Sequence, residues 1–198
     1  MLKKYLVVIL LVAPCLFAAP AIAHTFLTTA PFVLGEERTT FVEKFKQEFG
    51  HLPAPLPGDA PGKTAVYTTP ERDFAFAGFP PHSIVGFLSF SLMEDKLHKV
   101  EHVFGLHLSH VNDFWRYCYA RLTQQFGQDQ HTTPEDFFAP GQTQVRASWR
   151  TRSPGHNIFM YAQPLPPPYD MWIIINIAHV YGPLQFALLQ HILGTHTD

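Results

Sequence analysis

IVGFLSFSLMEDKLHKVEHVF, residues 84–104, carries the strongest structural pattern in the chain. Ile84, Leu88, Phe90 and Leu92 alternate with Val85, Phe87, Ser89 and Ser91, which is the two-residue period of a strand. Met93-Glu94-Asp95-Lys96 interrupts the pattern as a polar turn, and Leu97 to Phe104 resumes it. Two strands joined by so short a link pair antiparallel, because a parallel partner requires a crossover of roughly a dozen residues. The stretch therefore predicts a hairpin.

Helix periods lie on either side. Upstream, Phe41, Val42, Phe45 and Phe49 recur at three- and four-residue steps and predict a helix over about 36–49, stopped by Gly50. Downstream, Val111, Phe114, Trp115, Cys118, Tyr119, Leu122 and Phe126 form one stripe over 109–126, with Ser109 as N-cap and Gly127 as stop. Further strands are expected over 63–68, 73–77, 143–151, 157–163 and 172–180. Trp172-Ile173-Ile174-Ile175 reads as buried on both faces. A short helical turn is expected at Thr133-Pro134, and an apolar helix should follow Gly182-Pro183 to Leu193 and dock. Leu52 to Gly62 and Pro164 to Tyr169 are proline-rich and predict extended loops.

Both long helices end in Phe-Gly, and each is followed by a loop and then strands. That order predicts an α+β fold, an antiparallel sheet with two main helices packed on one face. It also suggests two repeated helix-then-strands units at about 32–104 and 105–180.

Composition bounds the function. The 198 residues carry 14 Lys+Arg against 16 Asp+Glu, net −2, which excludes the basic footprint of a nucleic-acid binder. A hydrophobic content of 46% excludes wholesale disorder, and two cysteines cannot build a disulfide framework. Lys3 and Lys4, an apolar run from Tyr5 to Phe17, and Ala21-Ile22-Ala23 together read as a cleavable signal peptide over 1–23. The run of 13 residues is shorter than the roughly 20 that span a bilayer as a helix. Cleavage between Ala23 and His24 would leave a single domain, 24–198, of 175 residues, with net charge −4 and no transmembrane helix. Cys118 would be its single thiol, and its place in the apolar stripe predicts a small buried hydrophobe rather than a nucleophile. The expected location is periplasmic or secreted.

The layout then resembles small exported modules of the BamE and beta-lactamase-inhibitor-protein type. The residues that carry it are Phe32-Val33-Leu34-Gly35, the helix ending at Phe49-Gly50, Phe87-Leu88-Ser89-Phe90, Asp95-Lys96-Leu97 and Val100. The resemblance implies a binding or scaffolding module of the bacterial envelope, with no catalytic residue to carry over. The chain departs from it in lacking a lipobox and in its long proline loops.

Chemistry-bearing constellations are sparse. There is no Gly-x-Ser-x-Gly, His-Glu-x-x-His or Cys-x-x-Cys, so neither a catalytic nor a cofactor-binding residue is nominated. Twelve histidines are the unusual count. His24, as a mature N-terminus, would offer an α-amine and an imidazole, nitrogen ligands that suit Cu(II). His102, His107 and His110 are the candidate partners for copper or zinc, provided the chain bends at Gly105. Against them stands the strand geometry, which spaces His98 and His102 roughly 13 Å apart. Arg146, Arg150 and Arg152 alternate on one strand face as an anion-binding stripe or a solvated sheet face, and Phe74, Phe76 and Phe79 form an aromatic surface or an edge packed on the core. The leading expectation is a non-catalytic module that binds an envelope protein or small ligand. A metal-binding protein is the alternative.

Overall fold

The computed structural model describes residues 27–53, 64–128, 145–165, 169 and 171–182, without the side chains of Thr64, Val145 and Arg146. The signal segment, His24, the turn at Thr133-Pro134, the C-terminal helix and most of both proline-rich stretches lie outside the described residues. Among the described residues are two helices, α1 (Arg38–Phe49) and α2 (Leu108–Phe126). With them are seven strands, β1 (Thr64–Thr68), β2 (Arg72–Asp73), β3 (Ile84–Met93), β4 (Lys96–His107), β5 (Val145–Arg150), β6 (His156–Pro164) and β7 (Trp172–Tyr181). The class is α+β, and every strand pair is antiparallel.

The hairpin forms where the alternation places it. Met93 pairs with Lys96, and Glu94 and Asp95 between them both adopt positive φ, 51° and 57°. Two left-handed residues give a turn whose twist matches that of the flanking strands. β4 does not stop at Phe104 but runs on to His107, because Gly105 stays in register between Val85 and Ile174. The sheet order is β1-β3-β4-β7-β6-β5, with β2 also on β3. Each helix thus precedes a meander, and the last strands of the two meanders, β4 and β7, pair at the centre.

Two boundaries differ from the sequence expectation, each for a local reason. α1 starts at Arg38 rather than Glu36, because the preceding residues bond to the hairpin instead. Gly35 donates to the Leu97 carbonyl, Leu97 donates to that of Glu36, and Glu37 bridges Lys96. The strand expected over 73–77 shrinks to Arg72–Asp73. The Phe74 N–H still donates to the Ile84 carbonyl at 2.9 Å, but pairing ends there, and the Phe74 and Phe76 rings pack edge-on against Phe104 at 5.1 and 5.7 Å. At the start of α2 the cap is His107, not Ser109: the His107 ring accepts from the Ser109 N–H at 3.3 Å.

Cross-strand partners point to the same face of a sheet. Ile84, Leu88 and Phe90 on β3 therefore share a face with Val100, Phe104 and Leu106 on β4 and with Ile173, Ile175 and Ile177 on β7. Ile158, Met160, Ala147 and Trp149 continue that face across β6 and β5. Its residues fall into two buried clusters. One holds Phe41 and Phe45 of α1, with Phe32, Phe90 and Val100. The other holds Val111, Phe114, Trp115, Cys118 and Leu122 of α2, with Phe104, Trp149 and Ile175. Cys118 is fully buried, and desolvation pushes its thiol pKa well above the usual range, so it is a packing residue.

Candidate functional site

The opposite face carries a groove. Val85 on β3, Val103 on β4 and Ile174 on β7 belong to the other alternation, and Gly105 lies between Val85 and Ile174 in the register. With no side chain at Gly105, the floor of the groove is backbone. Phe87, Leu165, Tyr169 and Trp172 complete the apolar walls, Glu71 stands at the rim, and the volume is about 480 Å³. Tyr169, Met171 and Trp172 are 59%, 49% and 38% exposed, so aromatic and apolar side chains sit in water at this one end of the sheet.

The two glycines of the hairpin have different causes. A Cβ on Gly86 would meet the Val103 carbonyl oxygen at 2.1 Å, so glycine there is demanded by strand approach. A Cβ on Gly105 would meet the Val85 carbonyl oxygen at 3.6 Å, which is ordinary contact. Glycine at 105 is not needed for the backbone. What it does is leave the space.

A polar ladder crosses the core face between the two clusters. His102 is 7% exposed and His179 4%, with ring centroids 6.3 Å apart, and His156 follows at 5.7 Å from His179. Among the described residues, both ring nitrogens of His102 and Nε2 of His179 and of His156 have no hydrogen-bond partner of good geometry, although the Thr28 and Leu27 backbones lie beside the first two rings. Burial lowers the pKa of all three: His102 falls to about 4, with the Arg72 charge adding to the effect, and His179 to about 3, with His102 and His156 adding. All three are neutral at pH 7. On the opposite face the buried carboxylate of Glu101 accepts from the Tyr161 hydroxyl and from Lys99 Nζ at 2.8 Å.

His156 also opens onto a second, polar cleft of about 700 Å³. The last turn of α2 forms one wall through Gln124, Gln125 and Phe126, and Arg150, Thr151, Arg152 and Ser153 form the other.

The residues nominated from sequence are placed as follows. His102 and His107 point to opposite faces of β4, and His107 turns to Ser109 at 2.9 Å and to Trp172. His110 lies in the first turn of α2, so the three do not converge. Among the described residues no group of three His, Cys, Asp and Glu side chains could hold a metal ion. Phe74, Phe76 and Phe79 are half-buried, and the last two stack edge-on against Phe114 at 5.1 and 5.4 Å; their rings serve the core. Arg150 and Arg152 both line the polar cleft, the register pairs Arg150 with Asn157 on the sheet face opposite His156, and the Arg146 side chain lies outside the described residues. Sequence reading missed Gly105, Tyr169 and Trp172 as one site, and His179 and His156 as neighbours of His102. Their one local signal was an unmatched glycine inside an alternating run.

The chain matches no family model, and no curated protein and no solved structure is significantly similar to it. The functional argument therefore rests on these residues.

Proposed function

We propose that the protein is an exported, non-catalytic binding module of the bacterial envelope, and that the groove over Gly105 seats an apolar, ring-bearing part of its protein or small-molecule partner. The observation that supports this reading is the sterically unforced glycine beneath exposed Tyr169 and Trp172. Binding sites combine apolar walls with a few polar groups that fix orientation, and Glu71 is such a group at this rim. Export is supported by the tripartite segment over 1–23.

Trp172 supplies a reporter, because Trp115 and Trp149 are buried. Titration with N-phenyl-1-naphthylamine should quench the Trp172 emission with a micromolar Kd. Gly105→Leu fills the floor without backbone strain and should weaken binding at least tenfold while moving Tm by no more than about 2 °C, the size of a sub-kcal/mol change. An unchanged Kd in Gly105→Leu would sink the groove as the site. N-terminal sequencing of the mature protein tests export separately, with His24 as the expected first residue.

A further inference from the structure

We infer that residues 27–34 form an acid-released strap: anchored at its two ends over the buried rings of His102 and His179, it lifts about Gly35 when those rings take up protons, while the sheet and both helices stay folded. The strap lies on the core face of the sheet and does not rest on the apolar groove, which occupies the other face.

The first support is the way the strap is held. Leu27 packs against the α2 cluster, and Phe32 is 4% exposed within the α1 cluster, 4.7 Å from Phe90 and 5.7 Å from Phe41. The chain thus crosses from one cluster to the other over the histidine ladder, with the Leu27 backbone beside His179 and the Thr28 backbone beside His102. Its hydrogen bonds are its own: the Phe32 N–H donates to the Thr29 carbonyl at 2.9 Å and the Ala30 N–H to Thr28 Oγ1 at 3.1 Å. Among the described residues, the first backbone bond from this segment to the sheet is that of Gly35, whose N–H donates to the Leu97 carbonyl at 2.6 Å. Gly35 has φ 88°, a conformation glycine adopts without strain, and it marks the hinge. Thr28, Ala30 and Pro31 are exposed, so the strap is a thin cover. A segment held by two side chains and no ladder opens at lower cost than the elements beneath it.

The second support is what lies under it. Both rings are buried, and among the described residues neither has a hydrogen-bond partner of good geometry. A protonated imidazole carries two donors and needs acceptors or water for both. The charged and titratable groups that face the pair are Arg72 of β2 toward His102, His156 of β6 toward His179, and each other. Their cross-strand neighbours Leu88, Ile177, Val100 and Ile158 are apolar, and α2 contributes the Phe126 ring. A proton on either ring therefore meets desolvation and like charge, with no carboxylate of the described residues to offset them. Lifting the strap admits water to both rings and gives up only the Leu27 and Phe32 contacts. Burial holds the closed-state values at about 4 and about 3, below the 6.5 of a solvated histidine. The closed strap is thus favoured above pH 6.5, and the open form gains as pH falls, by at most about tenfold per unit for each proton taken up.

Native-state hydrogen exchange on the full mature chain, corrected for intrinsic exchange rates, tests this at pH 7 and pH 5. The Phe32 amide reads the strap, and the Cys118 amide, in the middle of α2, reads global unfolding. Protection at Phe32 should fall at least tenfold from pH 7 to pH 5. At both pH values it should stay at least tenfold below that of Cys118 and be nearly independent of sub-denaturing urea, because lifting a short strap exposes little surface. Protection at Cys118 should decline steeply with urea. His102→Leu with His179→Leu should remove the pH dependence at Phe32. A Phe32 amide that shares the protection and the urea slope of Cys118 at pH 5 would overturn the strap, and this comparison needs the natural chain alone. A pH dependence at Phe32 that survives the double substitution would overturn the trigger.

Discussion

Lowering the pH from 7 to 5 should strip several kcal/mol from the stability of this protein, before most carboxylates are protonated. His102 and His179 are the cause. Their pKa values in the folded chain, about 4 and about 3, lie below the 6.5 of an unfolded histidine. Between those values the unfolded chain holds protons that the native one refuses, so stability is full above pH 6.5 and falls as pH drops toward the folded values. Each site loses about 1.4 kcal/mol per pH unit in that window, and the pair together is worth on the order of 4 kcal/mol by pH 5. His156, shifted the same way by partial burial, adds to it. Total stabilities of about 5–15 kcal/mol make this a large fraction. Urea midpoints followed by tryptophan fluorescence at pH 7, 6 and 5 measure it. The midpoint should drop steeply in the natural chain and stay nearly flat in a variant carrying His102→Leu and His179→Leu. A natural chain with constant midpoint over that range would contradict the assignment.

Phe90→Ala should be among the most damaging core substitutions. The Phe90 ring is fully buried at the centre of an aromatic cluster, 4.7 Å from Phe32, 5.3 Å from Phe41, 5.7 Å from Phe45 and 6.4 Å from Phe49. Its removal leaves a cavity that α1 cannot fill by a small shift, since α1 is held at its start by the bonds between residues 35–38 and the hairpin. Phenylalanine-to-alanine changes at such sites cost about 3–5 kcal/mol. Phe87, on the other face of the same strand and half-buried, supplies the comparison, and Phe87→Ala should cost less than half as much. Equal costs in guanidinium unfolding would mean that the core face has been assigned to the wrong alternation.

The sequence alone carries that assignment. The Ile84–Leu92 alternation, the polar turn at Glu94-Asp95 and the two helical stripes are local patterns. Each specifies its element through residues two to four positions apart, and the structure forms a hairpin and two helices there. Boundaries were less legible where long-range bonds compete with local preference. Glu36 and Glu37 give up a helical turn for the hairpin, and the strand ends after Phe74, where the Phe74 and Phe76 rings turn to Phe104. The candidate sites were the least legible. His98, His102, His107 and His110 look like one group because they are close in the chain, yet strand alternation sends His102 and His107 to opposite faces.

The α+β class, the antiparallel hairpin, the two helices and the packing role of Cys118 are written in local patterns, because periodicity and turn chemistry act over a few residues. Only long-range packing sets which histidines meet, that Gly105 lies under Trp172 and Tyr169, and that Arg150 and Arg152 line a cleft with the last turn of α2. Those neighbours are created by the registers of β4 on β7 and β7 on β6, pairings between segments remote in the chain. A shift of a single residue in either register would turn His179 to the other face and dissolve the ladder, since side chains alternate with period two.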